Sequence, residues 1–355
     1  ALRERGLRLR TPDEDVTQQL TAVDAPEEVE LDVDDVLILA TKAHQANDML
    51  RRWTDAPVRR NGGVVGTAGE HLPIFTALNG VAGEAFAHRY FRRVYGVCVW
   101  MPVVHLAPGE VIIRSTPRSG TLHIGRVPKT ATDHDHFLHR TAVDLMAANF
   151  DVPTPDDVMA WKYRKLISNI GNVFQALVAR NGDWRPLVAA AEDEARRVLD
   201  AVGITYVSDA EEAAARDAGF TMKPVPGVPQ STGGSTWQSL QRGTGNVETD
   251  YLNGEIVMIA HQAGLEAPIN QRLAMLGRRA AATGAKPGDM SAEELAALDD
   301  LGREGRWDVF GRTLKVTNLD KVLFPAREGE DPVTKRDFLR YVAQTAHVAV
   351  PYLRV

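Results

Sequence analysis

The run Val36-Leu37-Ile38-Leu39-Ala40 constrains the fold more than any other feature of the chain. An uninterrupted apolar run of this length suits a strand covered on both faces, as parallel strands are in α/β sheets. A second such run, Pro73 to Leu78, closes on Asn79-Gly80 and reads as a strand ending in a tight turn. Ala43 to Trp53, between them, carries a helical pattern, so the whole stretch is a βαβ unit. Leu7 to Arg10 and Val16 to Val23 alternate in the manner of half-exposed strands, and the Val-, Ile- and Thr-rich segment from Val94 to Val127 predicts several more.

The texture changes at Asp151-Val152-Pro153-Thr154-Pro155-Asp156, beyond which helical patterns dominate to about Leu301. Helices are expected at Trp161 to Asn172, Arg185 to Val202, Asp209 to Asp217, Val247 to Ala263 and Ala267 to Ala281, with one more opening at Ser291. Pro224 to Pro229 reads as a stiff linker before a Ser/Gly turn at Ser231 to Ser235. After Gly302 the pattern returns to strand, turn and helix. The expected architecture is a Rossmann-type α/β domain over 1–156, an all-α domain over 157–303 and a short α+β tail over 304–355. A chain of 355 residues has room for two or three such units at about 100–200 residues each.

Composition excludes several classes. With 44% hydrophobic and 25% charged residues and a net charge of −6, the chain is unlike disordered or nucleic-acid-coating proteins. No apolar run approaches the roughly 20 residues that cross a bilayer, so a soluble protein is expected. Cys98 is the single cysteine, which forbids an internal disulfide and suits a reducing, cytoplasmic setting; between Val97 and Val99 it reads as a buried strand residue. The ends, Ala1 to Leu7 and Pro351 to Val355, read as cut through structural elements.

Several polar groups stand where chemistry is done. Lys42 follows the first buried run, with Gln45 after it, and in open α/β sheets ligands collect beyond the carboxyl ends of strands. The alternative is a surface lysine in a turn. Asn79-Gly80 either brings backbone and an amide to a ligand or is a plain turn. Gly62 to Gly66 looks like a phosphate loop but follows Arg59-Arg60-Asn61 rather than a buried strand, so a surface loop is expected. Lys165, Asn169 and Asn172 fall at i, i+4 and i+7 of one predicted helix, an ammonium with two amides on a line. Glu248 opens another helix, where a carboxylate suits the helix dipole; Gly254 within that helix hints at a close backbone, and Ser235 and Thr236 lie in the loop before it. His134, Asp135, His136 and His139 lack further ligands nearby, so no metal is expected; a helix start capped by Asp133 is the simpler reading.

Taken together, Lys42-Ala43-His44-Gln45, Leu78-Asn79-Gly80, Arg164-Lys165-Leu166 with Asn169, and Glu248-Thr249-Asp250-Tyr251-Leu252-Asn253-Gly254 resemble the ketopantoate reductase family across roughly residues 1–303. The resemblance implies a Rossmann domain and a helical domain with NADP(H) and a 2-keto acid between them, and reduction of ketopantoate to pantoate in pantothenate biosynthesis. It implies Lys165 as general acid and Glu248 beside it or at the cofactor ribose. Asn79, Asn169, Asn172 and a hydroxyl of Ser235 or Thr236 would meet the substrate, and Lys42, Gln45, Asn79 and Gly80 the cofactor. A small-molecule keto acid and a second copy of the chain are the implied partners. The family's second helix asparagine falls at Val173 here, which points to a different keto acid as the alternative. No glycine-rich turn closing a first strand is found, so weak NADPH binding is expected, and the residue that separates NADP from NAD is missing with it.

Leu314 to Pro325 and Thr334-Lys335-Arg336-Asp337-Phe338 resemble instead the start of the primase-like polymerase domain of bacterial multifunctional DNA ligases. That domain's acidic metal-binding residues do not appear, so no polymerase activity is expected. A fragment of a DNA end-processing protein is the second functional reading, with nucleic acid as a partner only through this tail.

Overall fold

The computed structural model describes residues 2–129, 135–178, 185–229, 233–243, 245–288, 305–309, 312–325 and 332–339. A short helix α1 (Leu2–Arg5) leads into β1 (Leu7–Arg10) and β2 (Asp15–Gln18), followed by β3 (Leu31–Asp32), β4 (Leu37–Leu39) and α2 (Ala43–Thr54). Next come β5 (Pro57–Arg60), β6 (Gly63–Thr67), α3 (Ala68–His71), β7 (Pro73–Thr76), α4 (Ala82–Ala87) and β8 (Arg93–Trp100). This half ends with β9 (Val103–Val104), β10 (Glu110–Ile113), β11 (Ser115–Thr116), β12 (Thr121–Val127) and α5 (His136–Ala147).

The sheet that positions the site has the order β12-β8-β7-β4. Strands β4, β7 and β8 run parallel, and β12 pairs antiparallel to β8. All of β7 is buried, and its alternation sends Ile74 into one core with Ala46, Leu50, Leu72 and Phe91, while Phe75 enters the other with Tyr95, Ile124 and Ala142. The Phe75 and Tyr95 rings stack at 4.4 Å. The first apolar run departs from expectation. Leu39 is buried but Ile38 is 52% exposed, because β4 has only β7 beside it among the described residues and forms the sheet's edge.

A second four-stranded sheet has the order β2-β1-β10-β9, and a three-stranded one the order β3-β5-β6. Gly62 to Gly66 is not the expected surface loop but a hairpin turn and strand. Asn61 and Gly62 both take positive φ, 52° and 82°, as a tight two-residue turn demands, and β6 pairs with β5. The cap of α5 is Asp135 rather than Asp133, since its carboxylate accepts from the Leu138 amide at 3.1 Å. It is held there by the Tyr95 hydroxyl at 2.7 Å and by Arg126 at 3.4 Å. Asp133 and His134 lie outside the described residues, among which no group of His, Cys, Asp and Glu is arranged to hold a metal.

The second half is helical: α6 (Val158–Asn169), α7 (Asn172–Leu177), α8 (Arg185–Ala201), α9 (Asp209–Gly219), a short β13 (Thr221–Met222) paired with β11, α10 (Ser235–Arg242), α11 (Asn253–Gln262) and α12 (Pro268–Thr283). Four expectations change here. The helix through Lys165 breaks at Ile170-Gly171, where Gly171 lies so near Val188 of α8 that a Cβ would stand 3.0 Å from it. Ser235 and Thr236 open α10 instead of sitting in a loop. The helix expected from Val247 divides into a 3-10 turn, Glu248–Tyr251, and α11, because Leu252 leaves helical geometry. Gly254 meets only its own turn, Thr249 and Asp250; the close approach is made by Gly277 of α12 against the Thr249 side chain. Buried Glu194 of α8 accepts from the Ile269 and Asn270 amides and so caps α12. No helix among the described residues is long and apolar enough to cross a membrane.

Contacts divide the chain into one unit of residues 1–176 and 185–287 and a second of 177–184 and 288–355. The second holds two antiparallel pairs, β14 (Gly305–Val309) with β15 (Arg312–Val316) and β16 (Val322–Phe324) with β17 (Val333–Thr334). The helix expected from Ser291 lies outside the described residues.

Candidate active site

Helix α6 can lie against the sheet because the sheet is notched beneath it. A Cβ on Gly125 of β12 would come within 2.9 Å of Val158, and one on Gly96 of β8 within 3.1 Å. Asp157 starts the helix by accepting from the Met159 and Ala160 amides. Two lysines one turn apart then meet the sheet, with different surroundings.

Lys162 is 2% exposed. Its ammonium pairs with Glu84 of α4 and donates to the carbonyls of Thr76 at 3.4 Å and Leu78 at 3.3 Å. It thereby ties down the segment between β7 and Asn79. Thr76 Oγ1 donates to the same Glu84 oxygen at 2.6 Å, while the other oxygen, Oε2, is buried without a partner. Burial, and then the Glu84 charge, push the Glu255 carboxyl up to about 7.

Lys165 reaches a cavity. Its ammonium donates to Asn79 Oδ1 at 2.9 Å and to the Val99 carbonyl of β8. Burial, the largest cause, lowers its pKa to about 8; the Lys162 and Arg216 charges push the same way, and Cys98 and Glu248 oppose. Cys98 itself is buried with its thiol pushed up to about 11, chiefly by desolvation.

The turn carrying Glu248 docks onto the first half. Gly80 takes φ +75°, and a Cβ there would stand 2.4 Å from the Tyr251 carbonyl, so only glycine fits. Glu248, 5% exposed, bonds Lys42 at 2.5 Å and accepts from the Ala43 amide at 3.3 Å. The carboxylate therefore sits on the N-terminus of α2, where the helix dipole favours it, rather than serving its own helix. Gln45 accepts from the Lys42 amide at 3.3 Å and completes the cap of α2.

Lys42, Asn79, Lys165, Asn169, Asn172 and Ser235 come together around one cavity of about 790 Å³. Gln45, Gly80, Thr236 and Glu248 do not line it. Asn172 donates to Asn169 Oδ1 at 3.2 Å, which leaves Asn169 Nδ2 buried with no partner. Thr236 Oγ1 is likewise buried and unpartnered. Sequence reasoning missed Arg114, Arg216, Gln238 and Arg242 in the lining. Those residues come from segments whose local patterns say nothing of a shared cavity. Lys162, in the same predicted helix as Lys165, was not singled out either. None of the described lining residues is an Asp or Glu, so the cavity is electropositive and suited to anions.

Two family models match the chain: "Ketopantoate reductase PanE/ApbA" over residues 1–129 and "Ketopantoate reductase PanE/ApbA C terminal" over residues 157–280. Neither reaches residues 307–355, and the expected likeness to a DNA ligase domain finds no support. Among solved structures, the fold is similar to a PanE/ApbA family ketopantoate reductase from Ralstonia eutropha JMP134, 23% identical with a TM-score of 0.61 over 80% of this chain and 87% of that one. It is similar to D-mandelate dehydrogenase solved with NADH and anilino(oxo)acetate, at 20% identity and a TM-score of 0.61 over 80% and 88%. A 2-dehydropantoate 2-reductase from Geobacter metallireducens GS-15 gives 20% and 0.57 over 79% and 88%. With a Rossmann-like first half, a helical second half and matches that together span most of its length, the chain belongs to the ketopantoate reductase PanE/ApbA family of NAD(P)-dependent oxidoreductases.

Proposed function

We propose that the protein reduces a 2-keto acid to the 2-hydroxy acid with NADPH, ketopantoate to pantoate being the leading reaction, and that Lys165 is its general acid. One observation carries this reading: a lysine with its pKa lowered to about 8 stands in an electropositive cavity, held by Asn79 and the Val99 carbonyl. In this reading residues 1–156 carry the cofactor and 157–303 the substrate and catalytic groups, in the cytoplasm.

The residues present fit the reacting end of a nicotinamide cofactor and a keto acid. Asn169 Nδ2 is a buried donor without a partner in the cavity wall, and Lys42 and Asn79 stand on the side of α2 and β7. Phosphates are assigned no partner, since the Gly62 to Gly66 stretch is a hairpin and Glu248 already occupies the start of α2. NADPH, when bound, supplies the hydride.

Lys165 Nζ holds the proton that the carbonyl oxygen needs as negative charge develops on it, and an acid with a pKa near the working pH does this best. Asn79 and the Val99 carbonyl fix the direction of that ammonium. Asn169 Nδ2 and the Ser235 hydroxyl orient the substrate. Glu248 acts through Lys42 and through its charge on Lys165.

A second keto acid is favoured by Val173, buried where the family's second asparagine falls; the D-mandelate dehydrogenase likeness makes an aromatic keto acid the first to try. The test mixes the protein with NADPH and ketopantoate, 2-oxoisovalerate or phenylglyoxylate and follows the nicotinamide absorbance. Consumption with at least one is expected; none with all three would sink the reading.

A further inference from the structure

Of the cations around the cavity, Arg216 of α9 differs from the rest. Lys42 is neutralised by Glu248 at 2.5 Å, Arg242 donates to the His105 carbonyl and to Ser239, and Arg114 donates to the Pro229 carbonyl. Arg216 makes one ion pair, Nη2 to Glu212 at 2.9 Å, and beyond it no polar partner of the guanidinium is seen among the described residues. Its carbon centre lies 5.0 Å from the centroid of the Trp100 ring. That ring is fixed in turn, edge to face, by His123 at 5.0 Å and Trp161 at 5.7 Å. The cation–π contact and the ion pair together restrict where the guanidinium sits before any ligand arrives.

Glu212 does not cancel this charge. It is 5% exposed and also serves Arg164 at 2.5 Å and the Ser168 hydroxyl at 3.0 Å, so two guanidiniums share it. The exposed Asp209 pairs with Arg164 and Arg196, not with Arg216. The Arg216 side chain is 52% exposed, and it lines the same cavity as Lys165 and Asn169.

We propose that Arg216 is a specificity-determining residue, which receives the carboxylate of a 2-keto acid while the adjacent carbonyl oxygen faces Lys165; this rests on the reductase reading above. A guanidinium offers parallel N–H donors whose spacing matches a carboxylate, and the charge-assisted bonds discriminate against a neutral amide of the same shape. The site thus selects free acids over their amides or esters. Nothing in the arrangement demands a particular chain beyond the keto carbon.

The test is calorimetric titration of the full chain with 2-oxoisovalerate and with its carboxamide, 3-methyl-2-oxobutanamide, alongside turnover with NADPH. The wild type is expected to prefer the acid by roughly tenfold or more. Arg216→Gln is expected to bring that preference to within about twofold while leaving amide affinity in place, and Arg216→Lys to restore part of it. Should Arg216→Gln fail to fold, the Lys variant's reduced preference carries the same comparison. Turnover with an unchanged acid preference in Arg216→Gln, or equal loss of acid and amide, would overturn the proposal and leave the reductase reading standing. Acid bound and turned over by no form of the protein would overturn both.

Discussion

Lys165 Nζ donates to Asn79 Oδ1 across 2.9 Å, joining helix α6 to the loop that follows β7. The ammonium is therefore aimed from both halves of the fold, and it loses its proton as the pH rises through about 8. Keto-acid reduction, which needs the protonated form, is expected to be flat below that value and to fall about tenfold per unit above it. Oxidation of the hydroxy acid needs the neutral amine and should rise through the same value. Lys165→Ala should lower kcat by roughly a hundredfold or more. Steady-state rates in both directions across pH check this, and a limb that survives in Lys165→Ala assigns the titration elsewhere.

Glu248 raises the Lys165 pKa through its negative charge. Glu248→Gln is accordingly expected to move the alkaline limb of reduction below about 8. The same change weakens the bond to Lys42 and the cap on α2, at about 1–2 kcal/mol of stability. Denaturant melts and a pH profile on one preparation separate the two effects.

The Lys162–Glu84 pair is sealed, at 2% exposure for each residue. Removing one partner strands a buried charge, so Lys162→Met is expected to cost about 3–5 kcal/mol. Lys162→Met with Glu84→Gln should recover much of that in a double-mutant cycle. Recovered stability without recovered kcat is the expected split, because the Thr76 and Leu78 carbonyls lose their donor in both variants.

Glu255, pushed up to about 7 by burial and the Glu84 charge, works in the opposite sense to an ordinary carboxylate. Its folded-state pKa lies above the unfolded one, so the folded state holds the extra proton and stability from this group declines as pH rises from about 4.5 through about 7. Glu255→Gln should stabilise the protein by about 3 kcal/mol at pH 8 and by little at pH 4. Thermal melts at the two pH values measure the difference.

Much of this was legible in residue order. The βαβ unit around α2 was readable because apolar runs and helical spacing are local properties, and Lys165, Asn169 and Asn172 were found by their spacing even though the helix breaks at Gly171. Gly171 packs close to Val188 of α8, a neighbour that the local pattern does not contain. Glu248 was read as an acid opening its own helix; that it serves α2, 205 residues away in sequence from Ala43, is a fact of tertiary contact. Ser235 and Thr236 were placed in a loop because Gly and Ser there signal a turn, whereas Gly234 is already the cap of α10. Arg216 carried no local signal at all: its role comes from Trp100 on a strand far away in sequence.

One turn of α6 separates an ammonium enclosed by carbonyls and a carboxylate from one that faces open space. The enclosed charge at Lys162 repels the proton on Lys165 and so makes its neighbour the stronger acid. The clamp on the β7 loop is thus also an electrostatic lever. Replacing Lys162 with a neutral residue, if the loop kept its place, would leave a weaker acid at the cavity and carry the working range toward alkali.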